Sequence, residues 1–130
     1  MRKKEDNQLF FCEHLPVLTI GKSGKDSNLL IPEETLRERG VSFYHINRGG
    51  DITYHGPGQI TGYPVFDLEY WNLGLKQYIH MLEETIIRFL SLYDLKGERL
   101  EGATGVWLDP EVPGRARKIC AIGVKSSRFV

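Results

Sequence analysis

The sequence is short of cysteine and has no long apolar run, and each shortage excludes a class of protein. Only Cys12 and Cys120 are present among 130 residues, and their separation fits neither a disulfide framework nor the Cys/His spacing of a zinc site. We therefore expect reduced thiols, a cytoplasmic location and no metal. No apolar stretch approaches the roughly 18 residues of a membrane span, and the opening residues MRKKEDNQLFF lack the apolar segment of a signal peptide. These absences predict a soluble protein without a membrane partner.

An excess of one charge is also absent. The 17 basic and 17 acidic residues cancel, which gives no electrostatic reason to expect a nucleic-acid partner. The charges are unevenly placed, because 12 basic and all 17 acidic residues lie at or before Gly114. The remaining basic residues are Arg115, Arg117, Lys118, Lys125 and Arg128. This segment predicts either a surface for an acidic partner or substrate, or a strand pair whose solvent face carries Lys and Arg.

Hydropathy patterning predicts one α+β domain over residues 1–130, built as a layer of sheet with helices on one face. The predicted strands are apolar segments at residues 9–12, 16–20, 41–46, 63–68, 105–108 and 118–124. The last two are expected to form a hairpin, and Pro64 predicts that its strand lies at an edge or begins near this residue. A short helix is predicted from Pro32 to Gly40. From Leu75, apolar residues at helical spacing predict an amphipathic helix of about five turns, with Glu83 on its solvent side.

Residues 48–59, RGGDITYHGPGQ, contain four glycines and one proline around Arg48 and His55. Glycine allows positive φ or a close approach to a ligand, and successive exposed amides can hold an oxyanion or a carbonyl oxygen. The alternative is structural, because Gly-Gly and Gly-Pro-Gly on either side of a strand also make two ordinary turns. The spacing matches neither a phosphate-binding GxxxxGK[ST] loop nor a GxGxxG segment that opens a helix.

This block resembles a segment of the lipoyl(octanoyl) transferases, the octanoyl-carrier-protein:protein octanoyltransferases of lipoate synthesis. The likeness continues in YPVFDL at residues 63–68 and KICAIGV at 118–124. It also includes EHLPVLTIG at 13–21 and GVW at 105–107, so it covers nearly the whole chain in order. The resemblance implies the fold of biotin and lipoate protein ligases, with a mixed sheet and flanking helices.

The resemblance also implies a reaction, its partners and its residues. Octanoyl passes from acyl carrier protein to a cysteine thioester and then to a lysine of lipoyl domains, in 2-oxoacid dehydrogenase complexes and the glycine cleavage H protein, with no cofactor. Lys118 matches the family's catalytic lysine, which works with the nucleophile. A cation near a cysteine favours the thiolate, which is the form that attacks. The implied substrate-binding residues are Arg48, Gly49, Gly50, Asp51, Ile52, Thr53, Tyr54, His55, Ala121, Ile122 and Gly123.

The sequence departs from the family at its nucleophile. The family's cysteine lies in an NPCG-like segment downstream of the lysine strand, and this sequence ends at Val130. We therefore expect the nucleophile beyond Val130, a domain that is incomplete at its C-terminus, and no activity from these residues alone. Cys120 is expected to be a small buried hydrophobe, and Cys12 to belong to the core. His14 is expected to be a structural cap or a residue of the pocket wall.

Two other functions stay open at the level of the sequence. An ATP-dependent lipoate or biotin protein ligase shares the implied fold and a similar glycine and histidine block. The segment HGPGQ, however, lacks a ligase-like Gly-Asn continuation. A non-catalytic module that binds acyl chains is the second alternative.

Overall fold

A computed structural model describes residues 7–126, and these residues form two compact units. The first contains the described residues up to Asp67 together with residues 125 and 126, and the second is Leu68–Val124. The strands outnumber the helices and follow each other in runs, which confirms the α+β class. That residues 1–130 act as one catalytic domain remains a prediction.

The first unit is built mainly from strands. Its elements are β1 (Gln8–Glu13), β2 (Val17–Ile20), a 3-10 turn (Asp26–Asn28), α1 (Glu33–Glu38), β3 (Ser42–His45), β4 (Ile52–His55) and β5 (Ile60–Val65). β2 lies between β3, to which it is parallel, and β4, to which it is antiparallel, so this sheet is mixed as expected. β1 and β5 form a separate antiparallel pair. Ile20 and Leu36 are the buried apolar side chains of this unit among the described residues.

The predicted strand at 63–68 is wrong at both ends. β5 starts at Ile60 and ends at Val65, because its register is set by β1, from Glu13 opposite Ile60 to Gln8 opposite Val65. Pro64 lies opposite Leu9, and β1 is the only neighbour of its strand in the described part of the chain. The predicted edge position is therefore confirmed.

The second unit packs one long helix on a three-stranded antiparallel sheet. Its elements are α2 (Leu75–Ser91), β6 (Glu98–Leu100), β7 (Ala103–Leu108) and β8 (Arg117–Cys120), with β7 in the middle. The β7–β8 hairpin confirms the prediction, but β8 ends at Cys120 rather than at Val124, and β6 was not predicted. Val106 is fully buried at the centre of this sheet.

α2 begins at the predicted residue and buries part of the predicted face. Tyr78 and Leu90 are buried, whereas Phe89 and Tyr93 are exposed. The prediction for Glu83 is wrong, because its side chain is buried and the residue is only 8% exposed. A carboxylate tolerates such a position only when hydrogen-bonded partners surround it, and those partners come from β6 and β7.

Candidate functional site

The predicted site residues are divided between the two units. Arg48, Gly49, Gly50, Asp51, Ile52, Thr53, Tyr54 and His55 lie in the first unit, and Lys118, Ala121, Ile122 and Gly123 lie in the second.

In the first unit, two glycine loops run side by side: residues 21–24 after β2 and residues 48–51 before β4. Gly21 N–H donates to the carbonyl oxygen of Asp51 at 3.0 Å, and Ser23 N–H donates to that of Gly50 at 3.2 Å. A Cβ on Gly21 would lie 2.4 Å from the Gly50 oxygen, and Gly50 has φ of +91°. The loops therefore need glycine at both contact points.

Arg48 fastens these loops to β2. Its Nη2 donates to Thr19 O, Thr19 Oγ1 and Asp51 O, each at 2.9 Å, and its Nη1 donates to Gly49 O at 3.0 Å. Burial lowers the pKa of Arg48, and the nearby Asp51 carboxylate opposes that shift. Most of the guanidinium donors are thus occupied by the protein, which makes Arg48 the residue that shapes the loops. Direct contact of Arg48 with substrate stays a prediction.

The side chain of Asp51 is also occupied. Its Oδ2 accepts a hydrogen bond from Asn28 Nδ2 at 2.6 Å, which ties the glycine loop to the 3-10 turn. Ile52 and Thr53 are placed by pairing with β2, with Thr53 opposite Thr19. Tyr54 lies half exposed on the same strand. Its ring is the nearest group to Gly56, where any Cβ would collide with it.

His55 lies beside His14, which the sequence predicts to be a structural cap or a residue of the pocket wall. The rings of His55 and His14 are 5.5 Å apart between centroids. His14 Nε2 is 2.6 Å from the hydroxyl of Tyr63 and 3.5 Å from Cys12 Sγ. Burial, and secondarily a negative charge on Cys12, raises the pKa of Tyr63. The expectation that Cys12 belongs to the core is wrong, because β1 has one strand neighbour among the described residues and Cys12 is exposed.

One nitrogen of His55 has a defined partner. His55 Nδ1 lies 2.5 Å from Gln59 Oε1, and the amide group of Gln59 is oriented by a 3.4 Å bond from its Nε2 to Tyr54 O. A neutral ring that donates from Nδ1 keeps a lone pair on Nε2. His55 can therefore accept a hydrogen bond at Nε2.

In the second unit, Lys118 lies on β8 opposite Trp107. Its Nζ is 4.6 Å from the centre of the indole ring, at cation–π distance, and the side chain is exposed. Val106 faces Cys120 while Trp107 faces Lys118, so Ile119 is an extra residue that forms a bulge. Bulges of this kind redirect neighbouring side chains. Ala121, Ile122 and Gly123 follow β8 without regular structure.

The surroundings of Cys120 disfavour its thiolate form. Its pKa is raised by burial first and by the charge of Glu83 second, and the ammonium of Lys118 lowers it only in part. A raised pKa keeps the thiol protonated and disfavours attack.

Glu83 is the charged residue at this site that sequence reasoning missed. Its Oε1 accepts from Gly105 N–H at 3.0 Å and its Oε2 accepts from Arg99 Nε at 3.1 Å. No local signal separates it from the half-buried Glu84 next to it, because the partners of Glu83 lie 16 and 22 residues further along the chain.

Neither a metal cluster nor a membrane helix is found in residues 7–126. No three His, Cys, Asp or Glu side chains there are grouped closely enough to hold an ion. None of the helices in that range is long and apolar enough to cross a bilayer.

The fold places the chain in a class of known proteins. A solved bi-partite lipoate protein ligase from Thermoplasma acidophilum matches with a TM-score of 0.65, covering 88% of this chain and 42% of that one. A second solved T. acidophilum structure, described as a lipoate protein ligase with bound lipoic acid, matches at 0.55 over 85% of this chain and 43% of that one. Both are 16% identical in sequence, so the likeness is one of fold. The fold is that of lipoate protein ligases.

The sequence comparison defines the family. The family model for the lipoyl protein ligase A/B catalytic domain matches residues 1–130, and the chain belongs to that family. It is 62% identical over 128 residues to an octanoyltransferase of Porphyromonas gingivalis, covering 98% of this chain and 26% of the relative. It is 56% identical over 125 residues to an octanoyltransferase of Bacteroides fragilis, covering 96% of this chain and 56% of the relative. The chain therefore spans a quarter to just over half of the length of these relatives.

Proposed function

We propose that this protein is an octanoyltransferase of lipoate biosynthesis that moves an octanoyl group from acyl carrier protein to a lysine of lipoyl domains. The observation that carries the proposal is the 62% identity, over 128 residues, to a relative named octanoyltransferase. The acceptors are the lipoyl domains of 2-oxoacid dehydrogenase complexes and the glycine cleavage H protein. A cytoplasmic location goes with this proposal.

The proposed reaction has two acyl-transfer steps that balance without a nucleotide. A cysteine thiolate of the enzyme attacks the octanoyl thioester, and the thiol of the carrier protein leaves with a proton. The amine of the acceptor lysine then attacks the enzyme thioester, which forms an amide and releases the enzyme thiol. Because the donor is already a thioester, no oxidant, metal or ATP is required.

Lys118 is the proposed catalytic lysine. Its ammonium is exposed and held over Trp107, so it is available to favour a thiolate brought near it. The raised pKa of Cys120 supports the view that the nucleophile is a different cysteine. Residues 48–55 and 121–123 are the proposed substrate-binding segments, in which the Nε2 lone pair of His55 is a hydrogen-bond acceptor for substrate.

An ATP-dependent lipoate protein ligase is the second candidate, favoured by the fold of the solved neighbours. The two candidates differ in the activated donor. The complete protein is incubated with a lipoyl domain and either octanoyl carrier protein alone or octanoic acid with ATP and Mg²⁺, and the intact mass of the lipoyl domain is followed. The octanoyl mass increment is expected with the carrier protein alone. An increment that appears only with ATP contradicts the proposal and identifies a ligase.

The assignment of the two residues in β8 is tested on the same assay. Lys118→Ala is expected to slow octanoyl uptake by at least about 100-fold, the usual loss for a group that activates a nucleophile, whereas Arg115→Ala in the same hairpin is expected to leave uptake near the wild-type rate. Cys120→Ala is expected to retain the acyl-enzyme adduct. An adduct that disappears in Cys120→Ala would make Cys120 the nucleophile.

A further inference from the structure

The most deeply buried charged side chain among the described residues is Glu83 of α2, and the proposed chemistry gives it no role. The residue is 8% exposed, and both carboxylate oxygens are occupied. Oε1 accepts from the backbone N–H of Gly105 in β7 and Oε2 accepts from Arg99 in β6. One carboxylate thus joins the helix to two strands of the sheet.

Gly105, whose amide donates to Glu83, lies directly against the backbone of β8. Gly105 has φ of +122°, and a Cβ there would lie 2.4 Å from the carbonyl oxygen of Cys120. The same Cβ position is 3.5 Å from Cδ of Lys118. The backbone of β8 and the aliphatic part of Lys118 therefore rest against Gly105.

The register places Lys118 at the irregular step of this strand pair. Ile119 is the extra residue of the bulge, and Lys118, which precedes it, pairs with Trp107 and has its ammonium 4.6 Å from the ring centre. A bulge has less ladder hydrogen bonding than a regular pair, so its geometry depends on what fixes the strands from outside. Glu83 provides such a restraint from α2.

We propose that Glu83 is a positioning residue for Lys118, acting through Gly105. By holding the Gly105 amide, the carboxylate fixes the part of β7 on which β8 closes, and with it the place where the ammonium of Lys118 is presented. A catalytic effect of Glu83 rests on the proposed function of Lys118, whereas the positioning of Lys118 by Glu83 does not.

The adjacent carboxylate provides a matched control. Glu84 accepts hydrogen bonds from Arg88 at 2.9 Å and from Arg99 at 3.0 Å, and so shares a cation with Glu83. Its hydrogen bonds reach β6 but not Gly105. Loss of a charge beside Arg99 is therefore separated from loss of the bond to β7.

The first test compares Glu83→Met, Glu83→Gln and Glu84→Gln in the complete protein. Methionine keeps the length of the side chain without an acceptor, and glutamine keeps an acceptor for Gly105 without the charge. Hydrogen exchange at the Gly105 amide, referenced to Leu90 in α2, is expected to accelerate by about tenfold in Glu83→Met, the factor for one lost bond to a charged group. Acylation of the Lys118 amine by an N-hydroxysuccinimide ester is expected to rise about threefold as its contact with Trp107 loosens.

Glu83→Gln is expected to keep most of the wild-type protection of the Gly105 amide against exchange and of the Lys118 amine against acylation. Glu84→Gln is expected to change neither the exchange rate nor the acylation rate. Unchanged exchange at Gly105 in Glu83→Met, or faster exchange with unaltered acylation of Lys118, overturns the proposal. These readouts do not involve octanoyl transfer, so they hold their meaning if the proposed function fails.

A second test remains informative if Glu83→Met does not fold. The charge of Glu83 raises the pKa of the Cys120 thiol and the charge of Lys118 lowers it. The pH midpoint of Cys120 alkylation is therefore expected to fall in Glu83→Gln and to rise in Lys118→Ala. In the transfer assay, Glu83→Gln is expected to keep KM and to lower kcat by at most about threefold. A folded Glu83→Met variant, which has no side-chain acceptor for the Gly105 amide, is expected to lower kcat further. A midpoint that does not move in Glu83→Gln contradicts the placement of Glu83 beside this strand pair.

Discussion

Each unit of this chain uses one charged side chain to hold glycine backbone, and the two charges have opposite signs. In the first unit, the guanidinium of Arg48 donates to carbonyl oxygens of Thr19, Gly49 and Asp51. In the second, the carboxylate of Glu83 accepts from the amide of Gly105. The cation of Arg48 donates to several backbone carbonyl groups between two loops, and the anion of Glu83 accepts from one backbone amide between a helix and a strand.

The two arrangements depend on different properties of the side chain. Arg48 bonds mainly to neutral backbone dipoles, so its contribution comes from the planar, five-donor geometry of the guanidinium. Glu83 has a formal counter-ion in Arg99, so its contribution comes partly from charge. Lysine therefore cannot replace Arg48, although it keeps the charge, whereas glutamine can partly replace Glu83, although it removes the charge.

The largest expected effect is on the glycine that Glu83 holds. Gly105→Ala should lower the free energy of unfolding by about 4 kcal/mol, because the new Cβ meets backbone and the φ of +122° is strained for alanine. Gly58→Ala is the control, since Gly58 also has positive φ, at +82°, but has no atom within 4 Å of the Cβ position. Its expected cost is about 1 kcal/mol. Urea unfolding of both variants measures the difference, and equal costs would show that strain alone, without strand contact, explains Gly105.

The next effect concerns the cation of the first unit. Arg48→Lys is expected to lower the free energy of unfolding by about 2 kcal/mol, because one ammonium cannot reach the three carbonyl groups that the guanidinium holds. Arg37→Lys is the matched control on α1, where Arg37 forms an exposed ion pair with Glu33 at 3.6 Å. There the expected change is below about 0.5 kcal/mol. Similar small losses in both variants would mean that Arg48 acts only as a charge.

The sequence allowed prediction of the elements whose signal is local. α2 was found from its helical spacing, and β1, β2 and the β7–β8 hairpin from β-branched and aromatic segments between turns. The ends of β5 were missed because the partner strand sets them, and that partner lies about fifty residues away at Gln8–Glu13. Local periodicity carries no information on such pairing.

The membership of the candidate site stays a prediction from the family resemblance, and the arrangement of its residues could not be predicted from the sequence. The family resemblance named Arg48, His55 and Lys118, and the comparisons confirm the family. That Arg48 holds backbone, that His14 lies beside His55, and that Glu83 is buried all depend on contacts between distant segments. A buried carboxylate has the same local sequence signature as an exposed one until its partners are known.

The charge of Lys118, unlike those of Arg48 and Glu83, should contribute little to stability. Lys118→Ala removes a cation–π contact at an exposed site, for which we expect a loss below about 1 kcal/mol in the free energy of unfolding. The same change is expected to move Cys120 alkylation to higher pH. A thermal melt beside the alkylation profile separates the two outcomes. A steep fall in melting temperature with an unmoved alkylation midpoint would make Lys118 a structural residue like Arg48.

The smallest expected effect is a difference in how the two units respond to alkaline pH. In the second unit, burial raises the pKa of Cys120 and of Tyr78, and in the first it raises that of Tyr63. Since each folded pKa lies above the unfolded value, the full stability is present below the unfolded pKa and is lost as the pH rises through the folded pKa. Unfolded cysteine titrates near about 8.5 and unfolded tyrosine near about 10, so the second unit should begin to lose stability at the lower pH.

Tryptophan fluorescence reports this difference directly, because Trp71 and Trp107 both lie in the second unit. The urea midpoint seen by fluorescence is expected to fall from about pH 8.5 upward, while that seen by amide exchange in β2 and β4 holds until about pH 10. Cys120→Ala should remove the early part of the fluorescence decline and leave the later part, which belongs to Tyr78. If the two midpoints fall together in wild type and in Cys120→Ala, the units unfold as one and the titration of Cys120 does not distinguish them.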